Sequence, residues 1–288
     1  MEYQIQTNGR LLGFNPPLVM GILNATPDSF YSGSRQQTEK QIAERTLQIV
    51  SQGGAIIDVG AFSTRPGAAE VSQADEMARL RTALSIVRRE AAEVIVSVDT
   101  FRPEVARMAV EEYGANIIND VSEGGLTGVA GVPLSDRRER TADDATDVPA
   151  MFSMVAKLQV PYILMSVQPT LRDTLLSFAH KTEQLRALGQ KDMILDPGFG
   201  FGKSLQQNYE LLAQLEKLNV LGLPLLVGVS RKSMIFRQLG TTPDEALNGT
   251  TVLHAVALMK GASILRVHDV REAVEAVKLV EAVRQFEK

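Results

Sequence analysis

Short apolar runs recur along the chain and alternate with longer stretches in which apolar residues return every three or four positions. The runs are "LVMGILN", "AIIDVG", "EVIVSVD", "ANIINDV", "VPYILMS", "DMILDPG", "PLLVGVS" and "ASILRVHD". Each is of strand length, rich in Val, Ile and Leu, and apolar at consecutive positions. That is how strands buried on both faces of a parallel sheet read. The intervening segments, such as "QQTEKQIAERTLQIVSQGG" and "QADEMARLRTALSIVRREA", have helical periodicity. Several end near a glycine, at Gly53-Gly54, Gly114, Gly189 and Gly261, which suits helix termination. Strands and helices in this alternation predict an α/β fold, a (β/α)8 TIM barrel, with a doubly wound open sheet as the alternative topology. The opening "EYQIQTNGRLLGF" alternates and carries Asn8-Gly9, which predicts an N-terminal β-hairpin within residues 1–15 that plugs the barrel's N-terminal end. Residues 124–147, with "GGLTGVAG" and "SDRRERTADDATD", are polar, charged and aperiodic, and read as a mobile surface insertion. The 288 residues are read as a single domain.

Composition narrows the chemistry. A net charge of −4 leaves no electrostatic footprint for nucleic acid, so anions must be bound in a local pocket. The chain has no cysteine, which excludes disulfides, thiolate metal sites and a cysteine nucleophile. No apolar run approaches the roughly 20 residues needed to cross a bilayer, and no signal peptide is visible. A cytoplasmic enzyme with no membrane partner is the expectation.

The runs end at Asn24, Asp58, Asp99, Asn119, Ser166, Asp196, Ser230 and His268. In a (β/α)8 barrel the C-terminal strand ends carry the active site. One polar strand end is an ordinary helix cap; a full set of them suggests a polar pocket. "DPGFGFGKS" then becomes the loop after the sixth strand. Its Gly202-Lys203-Ser204 tail matches a P-loop, but Pro197 stands where that motif needs its first glycine, so a nucleotide-phosphate cradle is not expected. Phe199 and Phe201 could wall an aromatic substrate, and Lys203 is expected to reach solvent or a helix end. Lys232 follows the seventh strand at the turn into a helix. Arg266 lies inside an apolar run, where an unpaired cation is costly. With His268 two residues on, it faces the same side of its strand. The pair makes either an anion site or an ion pair with a barrel carboxylate. Asp58 either bonds barrel backbone or joins the pocket. His180 and His254 read as surface or packing residues, and nothing has zinc-ligand spacing. The expected pocket combines Asp99 and Asp196, Asn24 and Asn119, Arg65, Lys232 and Arg266, and the rings of Phe30, Phe199 and Phe201. Carboxylates and amides suit a heterocycle with N–H and C=O edges; cations and an amide near the rim suit phosphates and Mg²⁺.

"MGILNATPDSF", "FSTRPGA", "SVDTF", "NIINDV", "ILDPGFGFGK", "VGVSRKS" and "ILRVHDV" follow one another, one per barrel unit, across nearly the whole chain. In this set and order the sequence resembles the dihydropteroate synthases. The resemblance implies condensation of 4-aminobenzoate with 6-hydroxymethyl-7,8-dihydropterin diphosphate, giving dihydropteroate and pyrophosphate for folate synthesis. It implies a pterin diphosphate site of Thr64, Asp99, Asn119, Met165, Asp196, Gly228, Lys232, Arg266 and His268, of which Asp99, Lys232, Arg266 and His268 would be catalytic. Asn24 would ligate Mg²⁺. Phe30, Thr64, Arg65, Pro66, Phe201, Lys232 and Ser233, with Asp28, would enclose the aminobenzoate that sulfonamides imitate. A homodimer is implied as well. The sequence departs from the family's pattern at Ser166-Val167 (usually His-Met), at Phe62 (usually an acid), at "FYSGS" (where Asp-Gly-Gly is common) and in the long 124–147 insertion. Two rival readings are a corrinoid-dependent methyltransferase acting on methyltetrahydrofolate, which would need no Mg²⁺-diphosphate, and a weakened homologue that only binds pterin or a partner. "STRPG" and the Arg266–His268 pair oppose the first; the joint presence of Asp99, Asp196, Lys232 and Arg266 opposes the second.

Overall fold

A computed structural model describes residues 3–7, 9–25, 32–62, 71–124 and 148–286. Most of the 124–147 insertion lies outside them, as do Asn8, Asp28, Phe30, Thr64, Arg65 and Pro66.

The N-terminal hairpin pairs β1 (Gln4–Thr7) antiparallel to β2 (Arg10–Gly13), with Ile5 opposite Leu12. Gly9 in the turn has φ +73°, a left-handed conformation that glycine takes without steric cost. Eight parallel strands then close into a barrel: β3 (Leu18–Asn24), β4 (Ile56–Gly60), β5 (Ile95–Asp99), β6 (Ile117–Asp120), β7 (Tyr162–Met165), β8 (Met193–Asp196), β9 (Leu225–Val227) and β10 (Ala262–Val267), with β10 returning to pair with β3. Closure excludes the open doubly wound sheet. The helices are α1 (Ser32–Ser51), α2 (Gln73–Glu90), α3 (Pro103–Tyr113), α4 (Ala150–Leu158), α5 (Leu171–Ala187), α6 (Leu205–Ala213), α7 (Ser233–Leu239), α8 (Leu247–Met259) and α9 (Val270–Arg284). Both α7 and α8 lie between β9 and β10. The expected glycine stops appear: Gly114 caps α3 at φ +62°, and Gly53, Gly189 and Gly261 also sit at positive φ after their helices. Ser72 begins α2 by accepting the Asp75 N–H at 3.1 Å, one of the donors a helix start leaves unpaired.

Strand residues alternate sides, so each strand divides into an inward and an outward set. Outward residues such as Val19, Val59, Val98, Leu164, Leu195 and Leu265 pack with the helices in one large core. Inward residues form a second, smaller core: Met20, Ile56, Ile117, Ile163, Ile194, Leu226 and Ile264, closed from below by Ile5 and Phe14 of the hairpin segment. The hairpin therefore seals the bottom of the barrel. It is anchored there by the Gln6 N–H to Asp192 Oδ1 (3.1 Å) and by Asn116 Nδ2 to Thr7 Oγ1 (3.2 Å). Two positions further along several of the strands, on the same inward face, the residues turn polar. Ile56 gives way to Asp58, Ile117 to Asn119, Ile194 to Asp196 and Ile264 to Arg266. An apolar floor beneath a polar upper layer is what places the site.

Candidate active site

Arg266 is the centre of the upper layer. Its Nε donates to Asp58 Oδ2 at 2.6 Å and its Nη2 to Asp99 Oδ2 at 2.7 Å. Asn119 Nδ2 donates to the same Asp58 oxygen at 3.1 Å. Four strands, β4, β5, β6 and β10, are thus joined across the barrel interior. The ion pair with barrel carboxylates foreseen as one reading of Arg266 is present, and it makes the buried guanidinium tolerable. Burial pulls the Arg266 pKa down, but Asp58 and Asp99 outweigh it, so the group stays charged. Burial pushes the Asp99 carboxyl up to about 7 against the opposing pull of Arg266.

The layer is not satisfied within itself. Asp58 Oδ1, Asp99 Oδ1, Asn119 Oδ1 and Ser97 Oγ are buried and find no partner among the described residues. Buried oxygens of this kind are costly unless something donates to them. Ser97 was not foreseen, although its signal was available: it is polar, inside an apolar strand, two positions before Asp99 and so on the same face. Asp58, left undecided by sequence, is a full member of the layer.

Asp196 closes β8 beside Met165 of β7. Its Oδ1 accepts the Gly198 N–H at 2.8 Å, and burial raises its pKa against the pull of Lys232. Met165 is 1% exposed and belongs to the inward set. Gly228 leaves a gap between two cations: a Cβ there would lie 3.8 Å from Arg266 Cβ and 3.8 Å from Lys232 Nζ. Lys232 donates to the Phe199 carbonyl and lies 4.5 Å over the Phe201 ring. Burial lowers its pKa to about 8, with Asp196 pulling the other way. Ser233 follows as the first residue of α7.

At the β10 end, Ser230 Oγ lies 3.1 Å from His268 Nδ1 and accepts the His268 backbone N–H at 3.2 Å. Burial, with Arg266 adding to it, lowers the His268 pKa to about 4, so the ring is neutral at pH 7. If the serine hydroxyl donates to Nδ1, the imidazole proton lies on Nε2. Asn24 is exposed at the end of β3, beside Gly60 of β4.

Three expectations are corrected. Phe199 is fully buried in the outer core and walls nothing. Ser166 faces away from the barrel interior, because it follows inward-facing Met165, and its Oγ accepts the Gln168 N–H at 3.2 Å. Lys203 is part-buried, and its amine turns back onto its own loop instead of out to solvent or to a helix end. Its Nζ donates to three carbonyls, of Ser166 (3.2 Å), Gly198 (3.1 Å) and Phe201 (3.2 Å), and burial lowers its pKa to about 8. The lysine of "DPGFGFGKS" stitches its own loop to the end of β7 and is not aimed at a phosphate. Gly198 makes that approach possible: at φ +69°, a Cβ would lie 2.0 Å from the Ser166 carbonyl oxygen. Gly198→Ala is therefore expected to cost about 3 kcal/mol or more and to displace the loop; urea denaturation measures it, and a loss below about 1 kcal/mol would refute the tight approach.

Outside the pocket, Glu123 was missed altogether. It is buried at φ +58°, pairs with Lys181 at 2.9 Å and accepts the Val167 N–H at 3.0 Å, bracing the β7 end at the point of departure from the family pattern. Phe62, the other departure, packs edge-on against Phe101 at 5.3 Å.

Compared with known proteins, residues 20–268 match the model of the pterin binding enzyme family. The chain belongs to the pterin-binding enzyme family. Within it, the chain is 39% identical to the dihydropteroate synthase of Escherichia coli (strain K12) over 284 residues, 95% of this chain and 94% of that one. Among solved structures, the Xanthomonas albilineans dihydropteroate synthase with 4-aminobenzoic acid superposes with a TM-score of 0.83 at 33% identity, covering 99% of both chains. The same enzyme in complex with 7,8-dihydropteroate gives 0.80 at 32% identity, covering 98% of this chain and 99% of that one. No helix among the described residues is long and apolar enough to cross a membrane.

Proposed function

We propose that the upper layer binds the pterin of 6-hydroxymethyl-7,8-dihydropterin diphosphate and that the chain condenses it with 4-aminobenzoate. The observation that carries this is the set of buried, unpartnered oxygens on Asp58, Asp99 and Asn119 around Arg266 in a barrel of this family. They suit a flat ligand with several N–H donors. Asp196 takes the aminopyrimidine edge in a two-point, charge-assisted hydrogen bond, with Met165 against the ring and Gly228 leaving room beside it.

Arg266, the Nε2 side of His268 and Asn24 line the way to the diphosphate. Arg266 already answers Asp58 and Asp99, so further positive charge is needed there. Mg²⁺ would suit that need: Asn24 is exposed at the end of β3, and this ion is commonly held by one or two protein oxygens together with substrate phosphates and water. Asn24 would supply the protein oxygen, and the ion would stabilise negative charge on the departing pyrophosphate. The amine nitrogen of 4-aminobenzoate attacks the pterin methylene. A C–N bond forms, the C–O bond to the diphosphate breaks with its electron pair leaving on pyrophosphate, and the amine loses a proton. Positive charge developing at the methylene spreads into the pterin ring, where the Asp99 carboxylate favours it. No enzyme nucleophile is required. Lys232 and Phe201 face the incoming aminobenzoate, with Ser233 next to Lys232 at the start of α7.

The test is pyrophosphate release from purified protein given Mg²⁺, the dihydropterin diphosphate and 4-aminobenzoate. Release that requires both the amine and Mg²⁺, with dihydropteroate as product, is expected. A folded protein that binds the diphosphate but releases nothing would refute the reading.

A homodimer belongs to the same proposal. On α8, Val252 (54% exposed), Val256 and Met259 fall on one helical face, as do Leu279 (70% exposed), Val283 and Phe286 on and just beyond α9. Such a stripe on adjacent helices suits a subunit contact. Light scattering is expected to give twice the 31.4 kDa of the chain, and Val256→Asp with Leu279→Asp to give that mass itself; an unchanged dimer would exclude this face.

A further inference from the structure

Two loops flank the site, Ser230–Ser233 after β9 and His268–Asp269 after β10, and a single arginine locks them together. Arg231 Nε donates to Asp269 Oδ2 at 2.8 Å and its Nη2 to Asp269 Oδ1 at 2.9 Å, a two-point fork. Its Nη1 donates to the carbonyls of Pro243 (3.0 Å) and Asp244 (2.7 Å), and its backbone N–H donates to Thr250 Oγ1 at 3.0 Å. Every nitrogen of this residue therefore donates to at least one acceptor. Arg231 also stands at φ +53°, a conformation a side chain of this size rarely adopts. Backbone held in such a region needs its surroundings to fix it, and such residues cluster at functional sites.

The neighbours on each side of the fork give it its meaning. Lys232 follows Arg231, and His268 precedes Asp269. A second rung joins the same loops one residue earlier, from Ser230 Oγ to His268 Nδ1 and to the His268 N–H. On the opposite side Arg45 of α1 donates to the His268 carbonyl at 2.6 Å and to the Ile22 carbonyl at 3.1 Å, tying the β10 end to β3.

Resting on the pterin diphosphate reading above, we infer that Arg231 is a positioning residue whose fork to Asp269 sets Lys232 and His268 in register with each other. It touches no substrate itself. Its side chain is 24% exposed and that of Asp269 18%, so the pair is partly shielded from water, where a bidentate geometry counts for more than a surface contact. The left-handed backbone at Arg231 turns the chain so that Lys232 points back over the Phe201 ring while Arg231 points away toward Asp269.

The experiment compares wild type, Arg231→Gln, Asp269→Asn and the double variant. It reads kcat and KM for the dihydropterin diphosphate, calorimetric binding of pyrophosphate, and thermal midpoint. Each single variant is expected to lose at least fivefold in kcat/KM and to bind pyrophosphate more weakly, and the double variant is expected to be no worse than the poorer single. A loss smaller than fivefold in either single, or losses that multiply in the double, overturns the inference. So does a lowered midpoint with unchanged pyrophosphate affinity, the signature of a merely structural pair. If Arg231→Gln fails to fold, Asp269→Asn alone decides by the same thresholds. A wild type that forms no dihydropteroate would refute the functional reading instead.

Discussion

Replacing Arg266 with methionine is expected to abolish measurable turnover and to cost about 3–5 kcal/mol of folding stability at pH 8, the range for breaking a buried ion pair from one side. Methionine fills similar volume, so the loss is electrostatic. Asp58 and Asp99 would be left as two buried carboxylates facing one another with no cation between them. The cost should depend on pH with a definite sign. Asp99 already has its folded pKa raised to about 7 by burial, well above its unfolded value. A group raised in this way contributes stability that is full below pH ~4 and is lost as pH climbs through the folded pKa. Without Arg266 to oppose burial, Asp99 moves higher still and takes a proton more readily. Denaturation at pH 5 should therefore show a smaller difference between variant and wild type than denaturation at pH 8. Equal differences at both pH values, or a variant as stable as wild type at pH 8, would show that Arg266 does not hold the two carboxylates.

Asp196→Asn is expected to leave the fold intact and to lower pterin affinity by about 100-fold, on the basis of roughly 1.5–3 kcal/mol for each hydrogen bond to a charged group. The amide oxygen can still accept the Gly198 N–H, so the loop after β8 should keep its shape. What is lost is the negative charge and one acceptor. Lys232 also loses the carboxylate that now opposes its desolvation, so its pKa should fall further below about 8. Calorimetry with a pterin ligand, beside urea denaturation, separates the effects. Affinity within threefold of wild type would remove Asp196 from the pterin site, and a large loss of stability would mean that its charge serves the fold.

The barrel was legible because burial leaves a signature along the chain. Continuous apolar runs mark strands covered on both faces, helical periodicity marks their cover, and alternation around Asn8-Gly9 marks the hairpin. Each signature needs only neighbours within a few positions. The polar strand ends were legible for the same reason, since an apolar run that stops at Asp99, Asn119 or Asp196 shows it locally.

Partnership across the barrel was not legible. Arg266 meets Asp58 from 208 positions away and Asp99 from 167. Which carboxylate faces it depends on strand order, closure and the inward parity of each strand, none of which a run of apolar residues encodes. Lys203 was misread because its partners include a carbonyl 37 positions away on β7's end, brought close by Gly198. Phe199 was misread because nothing local separates it from Phe201 two positions on, although the first lies in the outer core and the second beside Lys232. Arg231 and Asp269 stand inside two of the motifs, but their pairing gave no signal, since two charged residues 38 apart look unrelated until the loops are side by side. Local burial patterns state which elements form; the closed register of the sheet, a property of the whole chain at once, states which side chains meet.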